Sequence, residues 1–121
     1  MSLPILVVDD EADLVASYER LLRRKGFRVV SAGSRGAGLT LVEREPLALI
    51  ITDLRLPDGD GLDLVRAARR LPTPTPAMVV TGFASEASRT ASMAAGAAAF
   101  LAKPFAAASF TSLVERALRD G

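Results

Sequence analysis

Short runs of continuous apolar residues alternate along the chain with stretches whose apolar positions recur every three to four residues. Leu3 to Val8 is the first such run and ends in Asp9-Asp10-Glu11. Leu14, Tyr18, Leu21 and Leu22 then share one face of a helix that Gly26 closes. Arg28 to Ala32 predicts a second strand, and Arg35 to Glu45 a second helix stopped by Pro46. Leu47 to Thr52 is the strongest strand signal, continuously apolar as a parallel strand buried on both faces must be. Leu54 to Gly61, with Pro57 and two glycines, reads as a loop, and Leu62 to Leu71 as a third helix. Pro72-Thr-Pro-Thr-Pro76 cannot be regular structure and serves as a connector. A fourth strand over Ala77 to Thr81, a fourth helix over Ser85 to Ala95 closed by Gly96, a fifth strand over Ala97 to Ala102 and a last helix over Ala107 to Arg119 complete the pattern.

Five strands alternating with five helices predict βαβ units and an α/β domain whose parallel sheet is covered on both faces. The length of 121 residues fits one domain over residues 1–121. No internal repeat interrupts it, and the proline connector is too short to separate two domains.

Composition narrows the chemistry. With no cysteine and no histidine, the chain has no disulfide, thiolate nucleophile, Cys/His zinc site, histidine triad or phosphohistidine of its own. Fifteen basic against 14 acidic residues leave a net charge of +1, which gives no electrostatic case for binding nucleic acid or a membrane surface. The apolar run at the N-terminus spans about six residues without a basic flank, too short for a signal peptide or a membrane span. A cytoplasmic domain is expected.

The exceptions to the apolar strands are informative. Asp9 and Asp10 follow the first strand, Asp53 the third and Lys103 the fifth, while Thr81 ends the fourth. In a doubly wound sheet these carboxyl ends are where ligands bind. Three carboxylates at one rim repel one another unless a cation neutralises them. Hard oxygen ligands without His or Cys suit Mg²⁺ or Mn²⁺. A lysine ammonium and a threonine hydroxyl can each hold a phosphoryl oxygen. Carboxylate, divalent metal, lysine and hydroxyl together make a phosphoryl-transfer site in which a carboxylate is the nucleophile.

On these residues the chain resembles the receiver domains of two-component response regulators over essentially its whole length. Asp9-Asp10 is similar to the family's acidic metal-binding pair, Asp53 to its phosphoacceptor, Thr81 to its hydroxyl switch residue and Lys103-Pro104 to its Lys-Pro pair, whose peptide bond is usually cis. Phe100 falls at the family's rotating aromatic, and Asp53-Leu-Arg-Leu-Pro-Asp-Gly-Asp-Gly61 resembles the loop after the phosphoacceptor. The resemblance implies a flavodoxin-like (βα)5 fold with strand order 2-1-3-4-5. It implies Mg²⁺ held by Asp9, Asp10, Asp53 and the backbone carbonyl of Arg55, phosphorylation at Asp53, catalytic help from Thr81 and Lys103, and a switch built on Thr81 and Phe100. A sensor histidine kinase or phosphotransfer protein is then the donor. The altered surface of the fourth helix, fifth strand and fifth helix signals to a partner or to an output domain beyond residue 121.

Simpler readings stand beside these. Asp9-Asp10 can cap the first helix, and Glu11 belongs to that helix's first turn rather than to the metal site. Phe100 serves equally as a core aromatic. Asp58-Gly-Asp-Gly61 lacks the ligand positions of a calcium loop. The competing function is an aspartate-nucleophile phosphatase of haloacid-dehalogenase type, which wants a second acid where this chain has Arg55. A flavodoxin-type carrier would place its FMN phosphate against an acidic loop.

Overall fold

A computed structural model describes residues 2–120. The central sheet is formed by β1 (Ile5–Val8), β2 (Val29–Ala32), β3 (Leu49–Thr52), β6 (Ala77–Thr81) and β7 (Ala99–Ala102). All four neighbouring pairs are parallel, in the order β2-β1-β3-β6-β7. Counting only these five strands, the order is the anticipated 2-1-3-4-5. Between them run α1 (Ala12–Arg24), α2 (Arg35–Arg44), α3 (Leu62–Arg69), α4 (Glu86–Ala95) and α5 (Ala107–Asp120). The segment expected as loop instead folds into a small antiparallel hairpin of β4 (Arg55–Leu56) and β5 (Gly59–Asp60). Elsewhere most predicted runs overshoot by one or two residues, Ala77–Thr81 is matched residue for residue, and α5 runs one residue past the predicted end at Arg119.

Period-two alternation divides the core between the two faces of the sheet. Leu6, Val8, Ile50 and Val79 pack with Val42 of α2 and Leu62, Leu64, Val65 and Ala68 of α3. Ile5, Val7, Leu49, Ile51, Met78 and Val80 face Tyr18 and Leu22 of α1 and Phe110, Val114 and Ala117 of α5. Tyr18, Phe105 and Phe110 stack there, with ring centroids 5.1–5.9 Å apart. With β1, β3 and β6 apolar throughout, polar side chains appear only where the strands end. Gly26 and Gly96 both take positive φ (+89° and +106°) after α1 and α4, as their predicted closing roles require.

Candidate functional site

Strand register gathers the site. Val8 lies opposite Thr52, so the next residue on each strand, Asp9 and Asp53, leaves the sheet at the same level. Main-chain bonds carry the alignment one step past the strands: the Asp53 N–H donates to the Val8 carbonyl (3.1 Å) and the Lys103 N–H to that of Thr81 (2.9 Å). Lys103 starts from the edge strand and reaches over β6 to the centre of the rim. Its Nζ stands 2.9 Å from Asp9 Oδ2 and 2.8 Å from Asp53 Oδ2.

Asp9 and Asp53 are buried, and Lys103 is largely so. Burial works against the Lys103 ammonium, but its hydrogen bonds to Asp53 and Asp9 outweigh that cost and hold its pKa above the ordinary lysine value. Asp53 Oδ1 also accepts the Leu54 N–H at 2.6 Å, with the Arg55 N–H farther off at 3.4 Å. Gly61 is required beside this turn: its N–H donates to the Leu54 carbonyl, and a Cβ there would overlap the Asp53 carbonyl oxygen. The Lys103–Pro104 peptide bond is cis.

One expectation is revised. Carboxylate oxygens of Asp9, Glu11 and Asp53 lie within 4.8 Å of one another, and Glu11 Oε1 is 3.7 Å from Lys103 Nζ. Glu11 is the residue preceding α1, in extended conformation and without a side-chain cap, rather than part of the first turn. Its backbone N–H donates to Asp9 Oδ1 (2.9 Å), and this short turn carries its carboxylate back toward the site. Asp10 is exposed and lies outside that group of three. The spacing of Glu11 two residues after Asp9 was the available signal. Helix-start propensity masked it.

Three carboxylates against one ammonium leave a surplus of two negative charges, most of it in a buried setting. All the donors are hard oxygens. The set therefore fits a hard divalent cation, which would relieve the repulsion while leaving coordination positions for water or phosphoryl oxygen.

Thr81 is fully buried, and its Oγ1 accepts the Phe83 N–H at 3.1 Å. Phe83 itself is half exposed, with the Arg55 guanidinium 3.8 Å above its ring. Phe100 lies opposite Val79 on β7, half-buried against the α2/α3 side of the core, with Arg89 5.9 Å from its ring centre. Tyr18, read from sequence only as a core position, has its hydroxyl buried without a hydrogen-bond partner among the described residues.

The family of response regulator receiver domains matches residues 5–115. The response regulator protein PilR of Pseudomonas aeruginosa is 39% identical over 114 residues, which cover 94% of this chain and 26% of PilR. A CheY-like receiver domain protein from Methanospirillum hungatei superposes with a TM-score of 0.91 at 32% identity, covering 98% of this chain and 96% of that one. A response regulator from Burkholderia pseudomallei, solved with a phosphorylated aspartic acid, calcium ion and citrate, gives a TM-score of 0.86 at 28% identity, over 98% and 70% of the two chains. The chain spans between about a quarter and half of the length of the curated relatives it matches. Among the described residues no helix is long and apolar enough to cross a membrane.

Proposed function

The chain belongs to the response regulator receiver domains of two-component systems, and from that premise we propose that it takes a phosphoryl group onto Asp53 in a Mg²⁺-dependent reaction. The observation that carries the reading is the convergence of Asp9, Asp53 and Lys103 at one rim, with the carboxylate oxygens outnumbering the cation. The donor is a phosphohistidine on a sensor kinase or phosphotransfer protein, or a small phosphodonor. An Asp53 carboxylate oxygen attacks phosphorus, the donor's bond to phosphorus breaks, and an acyl phosphate results.

Lys103 supplies the fixed positive charge for the incoming phosphoryl oxygens, and its tie to Asp9 keeps it over Asp53. Asp9, Asp10, Asp53 and the Arg55 carbonyl would hold the Mg²⁺, with Glu11 near enough to add an outer oxygen. The ion supplies charge neutralisation for the transferring group. Thr81 takes part by leaving its bond to the Phe83 N–H and turning its hydroxyl to the phosphoryl oxygen. Phe100 then moves into the space released, which alters the face formed by α4, β7 and α5. That face addresses an output domain or a partner protein; nothing in its charge calls for nucleic acid.

Incubation with Mg²⁺ and acetyl phosphate tests this. A stoichiometric, hydroxylamine-labile adduct that requires Mg²⁺ supports the phosphoacceptor. Rapid multiple turnover of unrelated phosphoesters would instead favour a haloacid-dehalogenase-type phosphatase.

A further inference from the structure

The hairpin that follows Asp53 is fastened to a part of the molecule with no chemistry of its own. At its tip the Asp58 carboxylate accepts two main-chain hydrogen bonds from the first turn of α2, from the Arg35 N–H at 2.6 Å and the Gly36 N–H at 2.8 Å. Both N–H groups belong to a helix end that has no internal partner for them, so a carboxylate reaching in from 22 residues away is unusually well placed. Ser34, the local cap, accepts only the Ala37 N–H. These bonds, Gly36 first and Arg35 second, hold the Asp58 carboxyl below its ordinary pKa.

A second tie crosses the first. The Arg35 side chain runs over the turn at Gly59, whose φ of +152° and bare Cα admit it, and ends in a 2.7 Å ion pair with Asp63 on α3. Asp63 also meets Arg66 at 3.2 Å. The tip of the hairpin is therefore held from α2 and from α3 together, while Arg55 on β4 pairs with Asp60 on β5 at its base.

We propose that Asp58 is a positioning residue for the metal site: by clamping the hairpin tip to the N-terminus of α2, it fixes where the Arg55 carbonyl stands relative to Asp53. The proposal rests on the reading of Arg55 as a metal ligand given above. It assigns a role to a residue that touches neither metal nor phosphoryl group.

The test is Mg²⁺ affinity, measured from backbone amide shifts in the whole domain without any phosphodonor. Asp58→Ala is expected to raise the Mg²⁺ Kd about tenfold, the scale found when an outer partner of a metal ligand is removed. Asp58→Asn, which keeps one acceptor oxygen, is expected to fall between the two and carries the test should the alanine variant fail to fold. Ser34→Ala weakens the same helix end without touching the hairpin and is expected to leave the Kd unchanged. At saturating Mg²⁺ the labelling rate of Asp58→Asn is expected to return to that of the wild type. An unchanged Kd in the Asp58 variants overturns the proposal, as does an equal rise in Ser34→Ala, which would show only general softening of α2. Failure of the wild-type domain to bind Mg²⁺ overturns the metal reading itself, and the proposal with it.

Discussion

Along the β1–β3 side of the rim, the main anchors around Asp53 come from distant parts of the chain. Lys103 joins two carboxylates that are 94 and 50 residues away, and the hairpin after Asp53 is fastened to α2 and α3. On the other side, beyond β6, Gly82 to Ser85 are exposed, and the start of α4 is held by its own serines: Ser85 Oγ accepts the Ser88 N–H and Ser88 Oγ the Ser85 N–H. Ser92 is the one buried residue of α4, whereas the shorter α3 buries Leu62, Leu64, Val65 and Ala68. The two flanks of one carboxylate thus differ in anchoring. A charge added at Asp53 would meet a fixed frame on the β1–β3 side and a weakly anchored helix on the other, and elements of low local stability are the ones that move.

The largest effect should come from breaking the fixed side. Lys103→Met leaves Asp9 and Asp53 facing each other without their counter-charge, and removal of one partner from a buried pair costs about 3–5 kcal/mol. Urea unfolding in EDTA is expected to show a loss of that order. Mg²⁺ should restore more stability to the variant than to the wild type. A loss below about 1 kcal/mol would mean that the frame is not held by this pairing.

Tyr18 offers the next test, because it lies on the anchored side and titrates outside the usual range. Burial pushes its phenol up to about 12, against which the nearby Lys103 acts only in part. The unfolded chain ionises near pH 10, so stability from the buried neutral phenol is complete below that pH and falls as pH rises towards 12. Lys103, also held above its ordinary value, adds to the same alkaline decline. Tyr18→Phe is expected to remove about 2–3 kcal/mol of that decline and to leave stability at pH 7 unchanged or higher, since among the described residues the hydroxyl has no partner to lose. As the chain has one tyrosine and no tryptophan, absorbance near 295 nm reads its ionisation directly. A midpoint near 10 would show that the ring is not sequestered.

Much of this contrast could be read from the sequence, and the parts that could not have a common cause. Asp9, Asp53, Thr81 and Lys103 were visible because each interrupts or ends an apolar strand, and strand ends are fixed by the fold. Glu11 was not, because its part depends on a two-residue turn at Asp9 that competes with helix-start propensity. The hairpin at Arg55 to Asp60 was hidden by Pro57 and Gly59, which signal a loop as strongly as a tight turn. Asp58 and Arg35 meet only through the tertiary placement of α2. Exposed charges carry no periodicity from which such a pairing could be inferred.

The smallest effect belongs to the loosely held flank. Ser85→Ala removes the reciprocal cap of α4 and is expected to cost about 1 kcal/mol. Hydrogen exchange should speed up across α4 while the amides of β3 and the hairpin keep wild-type protection. Equal acceleration in both places would show that the two flanks form one cooperative unit.

On the proposed function, the fixed frame holds Asp53 for the incoming phosphoryl group. After phosphorylation with Mg²⁺ and acetyl phosphate, borohydride reduction followed by peptide mass spectrometry locates the acyl phosphate. A single reduced residue, Asp53, is expected, with no labelling in Asp53→Asn. Modification at Asp9, Asp10 or Glu11 in the wild type, or undiminished labelling of Asp53→Asn, would contradict that function.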